Sequence, residues 1–299
     1  MGTADLQAIR SFNRTVAERI GALTDTFLGR DRPMGESRTL WEVGEGDGAE
    51  VRQLRTRLGL DSGYATRVLQ SLARQGLVKI EPSAADGRVR RVRLTRSGRA
   101  ERAELDRRAD QVAIGFLDPL NQEQRSRLIR AMAEVERLLT ASMVDIAVED
   151  PRSRDARWCI RQYFEELDRR FDAGFDPAKG ITADPDELVP PEGELVVARL
   201  RGRAVGCGAL KFHRRAPAEL KRMWVAPDAR GLGLGRRLLA TLERHAAEAG
   251  ARTVRLETNR ALEEAIHLYR TSGYREVAAF NDEPYAHHWF EKRVGRRVE

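Results

Sequence analysis

The chain has 299 residues, of which 41% are hydrophobic and 33% charged, about twice the usual length of one domain, so two separately cored domains are expected. No apolar run nears the ~18 residues of a membrane span, the two cysteines (Cys159 and Cys207) are too few for a disulfide framework or a four-ligand zinc site, and the first ten residues carry no apolar signal core, so the expectation is a cytoplasmic protein with no metal site and no membrane partner. The net charge of +7 rests on 48 arginines against five lysines, an excess that suits phosphate and guanine edges but that GC-rich codon usage also produces, so its distribution is the better guide.

Residues 1–30 show helical spacing through Leu6, Ile9, Val16, Ile20, Leu23 and Phe27. The segment from Ala49 to Leu58 puts Val51, Leu54 and Leu58 on one face and stops at Gly59. Asp61 or Ser62 then caps a helix from Gly63 to Arg74 that ends at Gly76, and the pair forms a helix-turn-helix candidate. Two alternating runs, Leu77 to Ile80 and Val89 to Leu94, flank an Asp86-Gly87 turn signal and predict a β-hairpin. Residues 86–102 hold seven arginines against Asp86 and Glu101, so the hairpin is a basic wing. The second helix would enter a major groove, with Arg67 reaching a base edge and Ser62, Tyr64 and Thr66 bonding phosphates or bases, while Arg88 and Arg90 reach the narrower groove. Residues 99–140 return to helical spacing through Leu128, Ile129, Met132, Val135, Leu138 and Leu139.

Asp86-Gly87-Arg88, Leu94-Thr95-Arg96-Ser97-Gly98 and Gly76-Leu77-Val78 resemble the winged-helix regulators of the MarR family across about residues 1–140. The resemblance implies that Asp86 and Arg88 organise the wing, that the long end helices form a homodimer interface, and that the dimer binds a palindromic operator in double-stranded DNA.

Near residue 142 the grammar changes. A strand-like run, Val144 to Val148, ends at Asp150-Pro151, so the expected domains are 1–142 and 143–299. A helix over 155–171, a loop over 175–193 and strands Glu194–Leu200, Ala204–Phe212 and Glu219–Val225 follow. Then come a glycine-rich turn, a helix from Leu234 to Ala249, a strand from Thr253 to Glu257, a helix from about Leu262 to Ser272 and aromatic strands to Phe290.

The turn reads Arg230-Gly231-Leu232-Gly233-Leu234-Gly235-Arg236, and a strand, a glycine turn and a helix together leave backbone N–H groups free for an anion. A P-loop is excluded because no Gly-Lys-Ser/Thr follows. A dinucleotide-binding reading gains from Glu257, about 20 residues on, but the turn is GxGxG rather than GxGxxG. A merely structural turn is the third alternative.

Arg230-x-x-Gly233-x-Gly235, followed by Leu268-Tyr269-Arg270-Thr271-Ser272-Gly273-Tyr274, resembles the GNAT superfamily of acetyl-CoA-dependent N-acyltransferases over about residues 143–292. The resemblance implies an α/β fold with a mixed central sheet behind the mainly α winged helix, acetyl-CoA as cofactor and Tyr269 as general acid. It also implies that the coenzyme is held by 231–236 with Arg230 and Arg236 adding charge, and by main-chain groups of Met223, Trp224 and Val225. An amine is mostly protonated at neutral pH, so a base is required, and Glu219 comes before Glu257 as the candidate. An asparagine that many members place seven residues before the tyrosine is replaced by Leu262, leaving Asn259 as the nearest cofactor contact. Lys221, Arg222, Asn281, Tyr285 and His287 are candidate contacts to a small-molecule amine, the cations suiting one that bears a carboxylate. Adjacent His287 and His288 on a strand would face opposite ways, against a metal site. Two functions remain open: a bifunctional regulator and N-acetyltransferase, or a regulator whose transferase-like half senses a metabolite.

Overall fold

In the computed structural model the described residues are 2–20, 27–44, 48–83, 86–181, 183–213 and 216–295. Leu23 of the first expected helix and Ala84-Ala85 of the hairpin turn lie outside them. Compactness divides the chain into Met1–Ala133 and Glu134–Glu299.

The first unit contains α1 (Thr3–Arg19), α2 (Met34–Val43), β1 (Ala49–Glu50), α3 (Val51–Leu58), α4 (Ser62–Arg74), β2 (Val78–Pro82), β3 (Arg90–Leu94), α5 (Arg96–Leu117) and most of α6 (Gln122–Ser142). Gly59 adopts the left-handed conformation at the end of α3 (φ 65°), and Asp61 caps α4 by accepting from the Tyr64 N–H (2.9 Å). The strands form a small antiparallel sheet in the order β1-β3-β2, and Leu40, Leu54, Leu72, Val92 and Leu105 are enclosed between it and the helices.

The helix expected over 1–30 ends at Arg19. Residues 27–29 instead form a single tight turn in which Leu28 and Gly29 are left-handed, letting Phe27 pack edge-on against Trp41. The expected helical stretch over 99–140 is two helices, because Pro119 breaks it. Asn121 and Gln124 then exchange reciprocal hydrogen bonds of 2.9 and 3.0 Å at the start of α6.

The second unit is built on a seven-stranded mixed sheet. Its elements are β4 (Val144–Val148), α7 (Arg154–Arg170), β5 (Gly193–Leu200), β6 (Arg203–Lys211), β7 (Ala218–Val225), α8 (Leu234–Glu248), β8 (Thr253–Thr258), α9 (Glu263–Thr271), β9 (Arg275–Val277) and β10 (His288–Arg293). The order is β4-β5-β6-β7-β8-β10-β9, antiparallel throughout except β7 beside β8. Residues 195–198 and 204–210 of the two central strands are buried on both faces, consistent with their unbroken apolar runs. The last part of α6 belongs to this unit: Arg137 donates to the Gly231 carbonyl (2.6 Å), and Arg237 of α8 bonds the carbonyls of Ala141 and Val144. Among the described residues no helix is long and apolar enough to cross a membrane, and no cluster of three or more potential ligands could hold a metal.

Two features of β7 open the sheet. It pairs with β8 only at Ala218–Val254 and Glu219–Arg255, after which the strands splay. It also carries an extra residue opposite β6, where Arg222 is left-handed (φ 55°), and such a bulge bends a strand and re-aims its side chains.

Candidate functional site

The splay holds two adjoining cavities. A cleft of about 550 Å³ lies between the end of β7, the glycine turn and α9; a smaller cavity of about 110 Å³ lies between β7, β8, α7 and the loops carrying Phe175 and Tyr285. Tyr163, Leu167, Met223, Leu262, Ala265 and Tyr269 line both. The two cavities therefore adjoin along these six residues, Tyr269 among them.

The cleft has the chemistry of an anion cradle. After Arg230, the next main-chain N–H in this turn to donate to a carbonyl among the described residues is that of Arg237, to Gly233 (3.1 Å). The N–H groups of 231–236 thus have no carbonyl partner at the positive end of α8, which suits a diphosphate. Gly231 and Gly233 have φ of 80° and 71°, with open space where a Cβ would stand, so backbone conformation demands glycine there; at Gly235 a Cβ would press on Leu268 at 3.3 Å. Met223, Trp224, Val225, Arg230, Gly231, Gly233, Leu234, Gly235 and Arg236 all line this cleft. Leu232 packs instead against the apolar core.

Arg230 is committed to protein partners. Its guanidinium bonds both oxygens of Glu166 (2.6 and 2.7 Å) and the Val225 carbonyl (3.2 Å), while Glu166 also accepts from Trp224 Nε1 (2.9 Å). Burial pushes the Glu166 carboxyl up, but the bond and charge of Arg230 outweigh it, with Trp224 and Arg170 assisting, and hold it below the ordinary carboxylate range. Arg230 therefore braces the strand end; Arg137 is likewise taken, by Glu134 (2.5 Å) and the Gly231 carbonyl, so among the described residues exposed Arg236 supplies the charge at the mouth that has no acidic partner. Glu166, Arg170 and Tyr163 went unrecognised in the sequence, although their spacing on α7 puts them on one helical face.

Tyr269 is 5% exposed, and burial raises its phenol well above the ordinary value, with the Tyr163 ring and the Glu257 charge adding to the effect. It keeps its proton at any physiological pH, as a proton donor must. The two candidate bases differ. Glu257 lines the small cavity; its Oε1 accepts from Lys221, and its Oε2 is buried with no partner among the described residues. Glu219 does not line that cavity: its carboxylate is bound by Arg255 (2.6 Å), with His213 at 3.3 Å and Lys221 at 3.4 Å. Of the two candidates, Glu257 alone lines the cavity, while Glu219 is held in the ion cluster beside it.

Of the expected acceptor contacts, Lys221, Arg222 and Tyr285 line the small cavity. Asn281 does not; it accepts from Trp289 Nε1 (2.8 Å). His287 is exposed, its N–H tied to the Thr258 carbonyl (2.9 Å). Asn259 lines the small cavity rather than the cleft, with its amide spent on the Tyr285 carbonyl (2.7 Å) and the Ala261 N–H (2.9 Å).

In the first unit, Ser62, Tyr64, Thr66 and Arg67 share the exposed side of α4, and the Arg67 guanidinium lies 5.9 Å from the Tyr64 ring centre. Thr66 Oγ1 donates back to the Ser62 carbonyl (2.7 Å). At the wing, Asp86 accepts from the Arg88 N–H (2.9 Å) and sets the bend, leaving Arg88 and Arg90 exposed.

Residues 156–274 match the model of the Acetyltransferase (GNAT) family, and residues 29–89 that of the MarR family. An IAA acetyltransferase of Azospirillum brasilense is 38% identical over 138 residues, covering 46% of this chain and 88% of that protein. An uncharacterized N-acetyltransferase of Schizosaccharomyces pombe is 30% identical over 148 residues, covering 48% and 86%. Among solved structures, an acetyltransferase of the GNAT family from Staphylococcus aureus is similar at 16% identity and a TM-score of 0.43, covering 50% of this chain and 99% of that one.

Proposed function

The chain belongs to the GNAT acetyltransferase family and carries a MarR-family domain ahead of it, and from this premise we propose that it is a bifunctional protein: a DNA-binding regulator over about 1–142 and an acetyl-CoA-dependent N-acetyltransferase over about 143–299 that modifies a small amine. The observation that carries the enzymatic half is the junction at Tyr269, shared by a cradle of unpaired N–H groups and a small adjoining cavity. Acetyl-CoA supplies the acetyl thioester. The N–H groups of 231–236 hold its diphosphate, and the edge of β7 beyond the splay offers main-chain groups to its amide chain and thioester oxygen. Glu257 Oε2 takes the proton from the incoming ammonium, so that nitrogen can bond the acetyl carbon as the carbon–sulfur bond breaks. The Tyr269 hydroxyl gives its proton to the departing sulfur, and the second proton shed by nitrogen as the neutral amide forms restores the phenol.

The test is thiol release from acetyl-CoA over a panel of amines. Tyr269→Phe is expected to lower kcat on the order of 100-fold while leaving the acetyl-CoA KM near its original value. Absence of any Tyr269-dependent turnover would instead favour a metabolite sensor.

The regulatory half is supported by the exposed residues of α4 and the arginine-tipped wing. Dimerisation is supported by α1, which has no buried residue yet presents Leu6, Ile9 and Phe12. Two such copies would read a palindromic duplex. If acetyl-CoA changes affinity for DNA, DNA must change affinity for acetyl-CoA by the same factor, which paired titrations would measure.

A further inference from the structure

We propose that the acetyl acceptor is an α-amino acid with an aromatic or large apolar side chain, its carboxylate received by Arg222, its amino group by Glu257 and its side chain by the rings of Phe164, Phe171, Phe175 and Tyr285. This rests on the acetyltransferase reading and goes further by identifying what fills the small cavity.

The charges on the cavity wall are unevenly settled. Lys221 is bound to Glu257 and lies near Glu219. Glu283 is held by the N–H groups of Ile181 (2.5 Å) and Tyr285 (3.2 Å). Arg222 is different. Its guanidinium sits over the Phe164 ring (4.9 Å), donates to the Ala183 carbonyl, and keeps a buried Nε with no partner; among the described residues no carboxylate forms an ion pair with it. A desolvated cation without an anion is costly, and a carboxylate from the ligand removes that cost. The bulge of β7 turns this residue, through its left-handed backbone, to the cavity wall. Glu257 Oε2 is the complementary vacancy, a buried acceptor without a donor.

Apart from Thr258 and Asn259, most of the remaining wall is apolar or aromatic. Phe164 stacks on Phe175 (5.5 Å between ring centres), Phe171 meets Phe175 edge-on (5.8 Å), and Tyr285 lies 4.9 Å from Phe175. The Tyr285 hydroxyl already accepts from the Asp176 N–H (3.0 Å), so the ring contributes mainly its face. A polyamine would bring added positive charge against Arg222, and an acidic side chain would enter an apolar wall.

The experiment uses the full chain with acetyl-CoA and four amines: phenylalanine, phenethylamine (the same body without the carboxylate), glutamate and spermidine. Product is read as thiol release and as the N-acetyl mass. Phenylalanine is expected to exceed phenethylamine in kcat/KM on the order of 100-fold or more, because loss of the carboxylate leaves Arg222 unpaired. Arg222→Gln should erase most of that ratio by raising the phenylalanine KM, and Phe175→Ala should raise the same KM without altering the acetyl-CoA KM. Phenethylamine or spermidine turned over as well as phenylalanine, or a ratio untouched by Arg222→Gln, would overturn the proposal. If no amine is acetylated, the transferase reading fails, and calorimetric titration of phenylalanine into the coenzyme A-saturated protein then judges the cavity separately: Arg222-dependent binding supports the assignment, and no binding overturns it.

Discussion

Glu219 and Glu257 stand on neighbouring strands and differ in what surrounds them. Glu219 is pushed up by burial, but Lys221 and Arg255, with a smaller contribution from His213, outweigh this and hold it below the ordinary carboxylate range. Its folded value is lowered, so its stabilisation is complete above the unfolded glutamate value, roughly pH 4.3, and is lost as pH falls through the folded value. Glu219→Gln is therefore expected to destabilise the second unit by roughly 3 kcal/mol at pH 7. The deficit should shrink in acid, as urea denaturation at pH 7 and pH 3.5 would show. Catalysis should suffer less than from Glu257→Gln, which removes a carboxylate that lines the small cavity. The sequence displayed both residues but not their partners, because Arg255 and Lys221 reach Glu219 only once β7 and β8 lie side by side.

Local signals carried the elements. The α3–α4 turn was readable from Gly59 and Asp61, and the start of α8 from three alternating glycines, since each residue type answers a backbone requirement in its own neighbourhood. α2 escaped notice: its cap, Pro33, makes no side-chain bond, and two of its four buried residues are Ser37 and Thr39, so apolar periodicity is faint. Gly233 caps α8 at φ 71° with free space about it, so Gly233→Ala tests backbone conformation with no steric clash. It should cost about 1–2 kcal/mol of stability and raise the acetyl-CoA KM more than it lowers kcat, as denaturation and steady-state assays would register. In the wing, Arg88 is exposed and only its backbone is held by Asp86. Arg88→Ala should weaken duplexes of every sequence alike and reduce the slope of log affinity against log salt by about one, measurable by fluorescence anisotropy. Equal binding by both proteins at low salt would remove Arg88 from the interface.

At the scale of the whole molecule, the two halves were separable in the sequence because their periodicities differ, whereas the small cavity was not. Its wall collects α7, the segment around Phe175, β7, β8 and the loop at Tyr285, stretches up to about 120 residues apart that share no common spacing. The apolar face of α1 leads to one further expectation. Phe12, 48% exposed, would be covered in a dimer, so Phe12→Glu should shift sedimentation equilibrium toward monomer and weaken binding to a two-half-site duplex more than to a single half-site. An unchanged mass would exclude α1 from the interface.

The last turns of α6 bear on how the chain can be dissected. Arg137 and Ala141 are anchored to Gly231 and Arg237 by hydrogen bonds, so a catalytic fragment begun at residue 143 would forfeit a guanidinium lining the larger cleft and a carbonyl that holds α8. Protein chemists seeking an excisable transferase should start it at or before Glu134, where the compact unit begins.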